Sequence, residues 1–374
     1  MVYLDYSATT PVNSEVIDTY SKVCRDYIGN PNSLHKLGVD SKRLIDASTK
    51  QIADILGVKE NEVIYTSGAS EANNMAIKGI CLKYKNRGMH IITTELEHSS
   101  VIAPINYLTT LGFDVDFVKL DNNGLVDLDD LEKLVRKDTV LVSICSVNSE
   151  IGIRQDIKKI YETVKKKNPL CFVHSDVTQS IGKEVFDFNY VDLASMSCQK
   201  FYGMKGIGAL IKKDKLIIEP LIHGGKSTTV FRSGTPATPL IASFAKALRL
   251  MYEDFNSKQK KVLEIHDYLL NKLKNIDIFV NSNDVCLPNI VNISLKNIKS
   301  EVMLHALEEK DIYISTQTAC STGNYSKAVY AVCHDKDRAS SSLRISISYL
   351  TTKEEIDYFC DCLEKFIDSL NFRR

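Results

Sequence analysis

Through the first two-thirds of the chain, short runs rich in β-branched residues alternate with stretches of helical periodicity, and this alternation restricts the fold more than any other feature. Val63-Ile64-Tyr65-Thr66 precedes a helical pattern from Glu71 to Lys85, and His90-Ile91-Ile92-Thr93 precedes another from Ser99 to Leu111. Val140 to Ile144, Cys171 to Ser175 and Val191 to Ser195 read as further buried strands, with a helix over Ile157 to Lys167. Strand–helix–strand units join parallel strands. The pattern therefore predicts an α/β chain with a mostly parallel sheet covered by helices, and ligands at the carboxyl ends of the strands. Past about residue 250 the rhythm changes: a long helix over Leu248 to Leu273, strands at Asn289 to Leu295 and Leu343 to Ser348, and a last helix opened by a Thr351/Glu354 capping box. A second, smaller α+β domain fits that stretch.

A length of 374 residues accommodates such an arrangement with a substantial core. Lys+Arg and Asp+Glu balance at 47 each, so the charge gives no reason to expect nucleic acid as the main ligand, and Lys165-Lys166-Lys167 reads as a solvated helix end. The start has no basic flank before an apolar core, and no apolar run approaches about 18 residues. A cytoplasmic protein without a membrane partner is expected. The 10 cysteines are scattered, and Cys360 and Cys362 lack matching ligand spacing elsewhere, so neither disulfides nor a metal site is expected.

Several residues at predicted strand ends carry reactive chemistry. Lys200 follows the strand ending near Ser197 and precedes Gly203, Gly206 and Gly208, which permit a tight return; an amine there can form an imine with a carbonyl cofactor. Asp176 ends an earlier strand, where a carboxylate can keep a pyridine nitrogen protonated, although a helix N-cap would explain it equally well. Thr66-Ser67-Gly68-Ala69-Ser70-Glu71 runs from a strand into a helix start that can seat a phosphate. His98 can stack on an aromatic ring and shuttle protons. Cys320 lies in the polar, aperiodic segment Ser315 to Ser326, which reads as an exposed loop, and Arg344 can grip a carboxylate with its bidentate fork.

In this order the segments resemble the NifS/IscS class of cysteine desulfurases, which are class V aminotransferases of fold-type I. The likeness runs from Leu4-Asp5-Tyr6-Ser7-Ala8-Thr9-Thr10-Pro11 through Gly29-Asn30-Pro31, Glu97-His98, Asn148-Ser149-Glu150-Ile151-Gly152, Asp176-Val177-Thr178-Gln179 and Arg232-Ser233-Gly234-Thr235 to Ala319-Cys320-Ser321 and Arg344. It implies pyridoxal 5'-phosphate as cofactor and a seven-stranded sheet in a large domain over residues 13–250. Residues 1–12 and 251–374 would form the small domain carrying the cysteine loop.

The resemblance also implies roles. Lys200 would hold the cofactor as an imine and act as acid and base. Asp176 would pair with the ring nitrogen, Gln179 with the ring hydroxyl, and His98 would stack on the ring. Ala69, Ser70 and Ser197 would hold the phosphate, joined by Thr235 from the other subunit of a homodimer. Arg344 and Asn32 would bind L-cysteine, and Cys320 would take its sulfur as a persulfide for an iron–sulfur scaffold or tRNA-thiolation enzyme. Two cofactor contacts differ from the family's usual residues: Gln199 replaces a histidine and cannot carry charge, and Ser149 replaces a longer asparagine. Lys226-Ser227-Thr228-Thr229 also departs from the usual loop. Selenocysteine lyase, another class V enzyme and a degenerate cofactor-binding partner remain the other readings.

Overall fold

The computed structural model describes residues 1–316 and 325–371. The chain starts in a short strand, β1 (Val2–Tyr3), and then builds a seven-stranded sheet from β2 (Val63–Thr66), β3 (His90–Thr93), β4 (Asp114–Phe117), β5 (Thr139–Ser143), β6 (Phe172–Asp176), β7 (Leu193–Ser197) and β8 (Gly208–Lys212). Their spatial order is β2-β8-β7-β6-β5-β3-β4. Only β8 runs against its neighbours, pairing antiparallel with both β2 and β7, while the other adjacent pairs are parallel. The mostly parallel sheet read from the alternation is thus present. The turn that reverses the chain into β8 uses Gly206 at φ 85°. Gly208 lies so close to the Gly68 backbone that a Cβ would come within 2.7 Å of its Cα.

Two apolar layers sandwich this sheet. One face packs on the helix Ala69–Tyr84, whose Ala72, Met75, Ala76 and Ile80 are fully buried; the other packs on Thr238–Tyr252, anchored by fully buried Phe244. A separate core, including Leu343, Ile345, Phe359 and Leu363, joins the helices Phe255–Leu273 and Lys353–Asn371 to a three-stranded antiparallel sheet. That sheet consists of β9 (Ile278–Val280), β10 (Ile290–Leu295) and β12 (Ser342–Ser346), in the order β12-β10-β9. β1 pairs parallel with β11 (Ile312–Tyr313), which ties the first residues of the chain to this later part. Among the described residues no helix is long and apolar enough to cross a membrane.

Four local expectations fail. The helix expected from Leu248 to Leu273 is two helices, broken where Asp254 turns left-handed at φ 52°; Lys258 donates to the Leu250 and Glu253 carbonyls and caps the first helix. β7 begins at Leu193 rather than Val191, because the Asp192 carboxylate is held by Lys165 Nζ at 2.7 Å and Val173 N at 2.8 Å. The same contact takes Lys165 out of the solvated role expected for it. The capping box of the last helix is Thr352 with Glu355, whose reciprocal bonds are 2.9 and 3.2 Å, while Thr351 instead accepts from Ser348 N.

Candidate active site

The carboxyl ends of β2, β3, β5, β6 and β7 surround one cavity of about 380 Å³, ample for a small organic cofactor. Lys200 stands in its wall on the turn Cys198–Lys200 after β7, and its Nζ donates to the carbonyls of Ser7 and Ala8, both at 2.6 Å. Those carbonyls are held in place: Ser7 N donates to Ser346 Oγ at 2.9 Å and Thr10 N to the Gln199 carbonyl at 3.0 Å. Ser7 and Ala8 lie in the quoted Leu4–Pro11 string but carried no expected role, because backbone acceptors leave no mark in a sequence.

Asp176 is the last residue of β6. Its Oδ1 accepts from Thr178 N at 3.0 Å and its Oδ2 from Asn73 Nδ2 at 2.8 Å; no helix starts there, so the N-cap alternative fails and the carboxylate instead closes a turn. Asn73 is wholly buried and its Nδ2 also donates to Ser100 Oγ at 2.9 Å. Ser100 in turn meets His98 Nδ1, through its hydroxyl at 2.8 Å and its backbone amide at 3.1 Å. A backbone amide can only donate, so Nδ1 accepts and the proton of the neutral imidazole sits on Nε2. Asn73 therefore links Asp176 to His98, a role the sequence reading missed. The available signal was a polar residue on the apolar face Ala72, Ala76 and Ile80 of its helix.

Ala69 and Ser70 open the helix that follows β2, beside Ser197, and line the cavity with first-turn amides that find no acceptor among the described residues. Glu71 would oppose an anion there, but it is occupied by Arg232 Nε at 2.9 Å and Ser67 N at 2.7 Å. Burial raises its carboxyl, and the Arg232 and Ser67 contacts more than offset this, leaving it below the usual carboxylate range.

Arg344, on β12, is only 2 % exposed. Its Nη2 donates to Asp5 Oδ1 at 2.7 Å and its Nη1 to the Ser149 carbonyl at 3.0 Å, while Nε is buried without a partner among the described residues. Gln179 donates from Nε2 to the Ser7 carbonyl at 3.0 Å, and with Gln199 and Ser149 completes the set of expected residues in the cavity wall. Two expected residues lie elsewhere. Thr235 lines a neighbouring small cavity with Thr66 and Ser67, and Asn32 is on an exposed turn. Cys320 falls outside the described residues. Ser315, five residues before it, pairs with the Arg344 backbone at 2.7 and 3.2 Å, and Ser326 beyond it donates to Glu150 Oε2 at 2.5 Å.

The model for aminotransferase class-V matches residues 2–359. Cysteine desulfurase IscS of Dictyoglomus turgidum is 36% identical over 99% of this chain and 95% of its own length. The NifS/IcsS protein homolog of Lactobacillus delbrueckii subsp. bulgaricus is 40% identical over 96% of this chain and 95% of its own. The chain belongs to the class V aminotransferases, among the NifS/IscS-type cysteine desulfurases. Its fold agrees: a solved NifS-like protein superposes with a TM-score of 0.93 at 34% identity, covering 98% of this chain and 99% of that one. A structure of SspA in complex with cysteine gives 0.83 at 29% identity, over 94% of this chain and 100% of the other.

Class V enzymes of this type depend on pyridoxal 5'-phosphate, and the cavity fits it. A buried carboxylate, Asp176, stands at one strand end, a helix N-terminus with unclaimed amides at another, and the Lys200 amine stands in the same wall. The electrostatics favour a neutral His98: burial lowers its pKa, with Lys200 adding to the fall and Asp176 opposing it.

Behind His98, burial pushes the Glu97 carboxyl up to about 8, although hydrogen bonds from Cys145 N and Thr94 Oγ1 pull the other way. Between about pH 4.5 and 8 the unfolded chain ionises Glu97 while the folded protein keeps it protonated, so this group lowers stability as pH rises. Glu97→Gln removes that dependence. Its stability relative to wild type is expected to improve by about 2 kcal/mol or more between pH 5 and pH 8, read from paired denaturation curves. The Asp5–Arg344 pair gives a second expectation. Removing the carboxylate in Asp5→Ala leaves a buried guanidinium without its counter-charge and should cost about 3 kcal/mol in the same measurement.

Proposed function

We propose that this chain is a pyridoxal-phosphate-dependent cysteine desulfurase that converts L-cysteine to L-alanine and receives the sulfur on Cys320. The convergence of Lys200, Asp176, His98 and Arg344 on one cavity carries this reading. The relatives named cysteine desulfurase, and the neighbour that binds cysteine, support it.

Arg344 takes the substrate carboxylate with its fork, and its Nε, without a partner among the described residues, is a donor left for it. When bound, the cofactor supplies an electron sink for the pair released as the substrate Cα–H bond breaks. Lys200 Nζ accepts that proton and returns one to substrate carbon. The Cys320 thiolate attacks the substrate sulfur: an S–S bond forms, the C–S bond breaks, and carbon takes a proton to give alanine. Sulfur is oxidised by as much as carbon is reduced, so persulfide formation needs no external oxidant. Releasing the sulfur as sulfide requires a thiol reductant or an acceptor protein, such as an iron–sulfur scaffold or tRNA-thiolation enzyme.

Ser197, Ala69, Ser70 and Gln199 would hold the phosphate, Gln179 the ring hydroxyl, and Ser149 a shortened cofactor contact. Thr235 lies outside the main cavity, as a residue serving a neighbouring subunit would. Exposed Ile28 and Leu34, 75% and 97% accessible, support burial in a homodimer, which would also bring Asn32 toward a partner's substrate. We take 13–250 and the remainder as the two domains. The nine described cysteines, all free thiols, support the reducing cytoplasm.

Purified protein given L-cysteine and a thiol reductant should release alanine and sulfide in equal amounts. Conversion of cysteine to a keto acid without sulfide would instead support an aminotransferase.

A further inference from the structure

Lys183 is a buried cation that the chemistry above does not use. It follows Gly182 in the turn beyond Gln179, is 9% exposed, and makes no ion pair with a carboxylate among the described residues. Its Nζ donates to Gln179 Oε1 at 2.6 Å. The groups around it are mostly unhelpful to a charge. Lys200 and Arg344 repel it, Glu184 attracts it, and Tyr6, Gln259 and Asn289 line the same small cavity as neutral groups. Burial first, then Lys200 and Arg344, lowers its pKa to about 7. A lysine kept in such surroundings is costly, and costly buried charges concentrate where a site is tuned.

The geometry shows what it tunes. Below about pH 7 Lys183 is an ammonium, which has donors only, so Gln179 must turn Oε1 toward it. That places Nε2 against the Ser7 carbonyl at 3.0 Å, the same carbonyl that accepts from Lys200. The reversed amide would set oxygen against carbonyl oxygen and nitrogen against ammonium. One Nε2 hydrogen is spent on Ser7, and the second remains for the cavity in whose wall Gln179 lies.

We propose that Lys183 is a positioning residue: it locks Gln179 as a hydrogen-bond donor to the cofactor's ring oxygen and favours that oxygen in its anionic form. This rests on the reading that Gln179 faces the ring. A donor and a positive charge behind the ring oxygen both oppose protonation of the oxygen and its neighbouring linkage at Lys200. Removing them therefore raises the pH at which the bound cofactor changes its absorbance.

The test is a spectrophotometric pH titration of the holoenzymes, with no substrate present. Lys183→Met should move the midpoint upward by about one unit, a tenfold change in the proton-binding constant. Gln179→Leu should move it the same way, and the double variant should move it by less than the sum of the two single shifts, since Lys183 acts in part through the hydrogen bond that Gln179 makes. A shifted Gln179→Leu beside an unshifted Lys183→Met overturns the role of Lys183 and leaves the reading of Gln179 intact. If neither shifts, Gln179 does not face the ring and the proposal falls with it. Should Lys183→Met fail to fold, Lys183→Gln keeps a donor and drops the charge; it should shift upward as well, and an unchanged midpoint overturns the proposal.

Discussion

Lys200→Ala is expected to lower alanine formation from L-cysteine by at least about 10⁴-fold. Positioned proton transfer alone contributes about 10² to 10⁴, and loss of the covalent tether adds to it. The geometry explains why no neighbour replaces it. The amine rests on the Ser7 and Ala8 carbonyls, which accept protons poorly, and His98 has its Nδ1 already engaged by Ser100. Lys183, another amine in the network, is turned onto Gln179. Asp176, the Ala69–Ser70 helix start and Ser197 remain in the variant, so it should still bind the cofactor non-covalently, with an altered absorbance spectrum. A single-turnover assay for alanine checks the prediction, and a loss smaller than tenfold would contradict it.

Cys320→Ser is expected to abolish sulfide release, with a fall of at least about 10³-fold, while the cofactor absorbance and its pH midpoint stay at wild-type values. A hydroxyl at this position has the wrong softness and far too high a pKa to attack sulfur. An unperturbed thiol titrates near 8.5, so only a few per cent of Cys320 would be ionised at neutral pH. Sulfide release in the wild type should therefore rise with pH up to that range unless a neighbour deprotonates the thiol. Comparing sulfide and absorbance in the same samples separates loss of the nucleophile from loss of the cofactor site.

Much of this arrangement was legible because parallel strands advertise themselves. β5 holds the apolar run Val140-Leu141-Val142, β3 and β6 hold the pairs Ile91-Ile92 and Phe172-Val173, and the chemistry-bearing residues His98 and Asp176 stand past or at the carboxyl ends of β3 and β6. The order of motifs then pointed to the family. What escaped was set by partners distant in sequence. Apolar periodicity runs unbroken through Asp254, so the break between two helices there was invisible until Lys258 was seen capping the first. Lys165 reads as a surface lysine until β6 and β7 bring Cys171 and Asp192 to it. Asn73 and Asp5 are ordinary polar letters whose importance comes from Asp176 and Arg344, each supplied by a remote segment, and the local contact of Lys183 with Gln179 gains its meaning only from the distant Ser7 carbonyl. Asn32 was expected at the site, yet among the described residues it does not line this cavity, while Thr235 was expected there only from a second subunit.

The central claim is that sulfur leaves L-cysteine for Cys320. The most direct measurement is to mix the holoenzyme with one equivalent of L-cysteine labelled on sulfur, omit reductant, alkylate, digest and locate the label by mass spectrometry. The account predicts one labelled sulfur as an alkylated persulfide on the Cys320 peptide, with alanine formed in equal amount. Alanine formed with the label free in solution or on another cysteine, and none on Cys320, would contradict it.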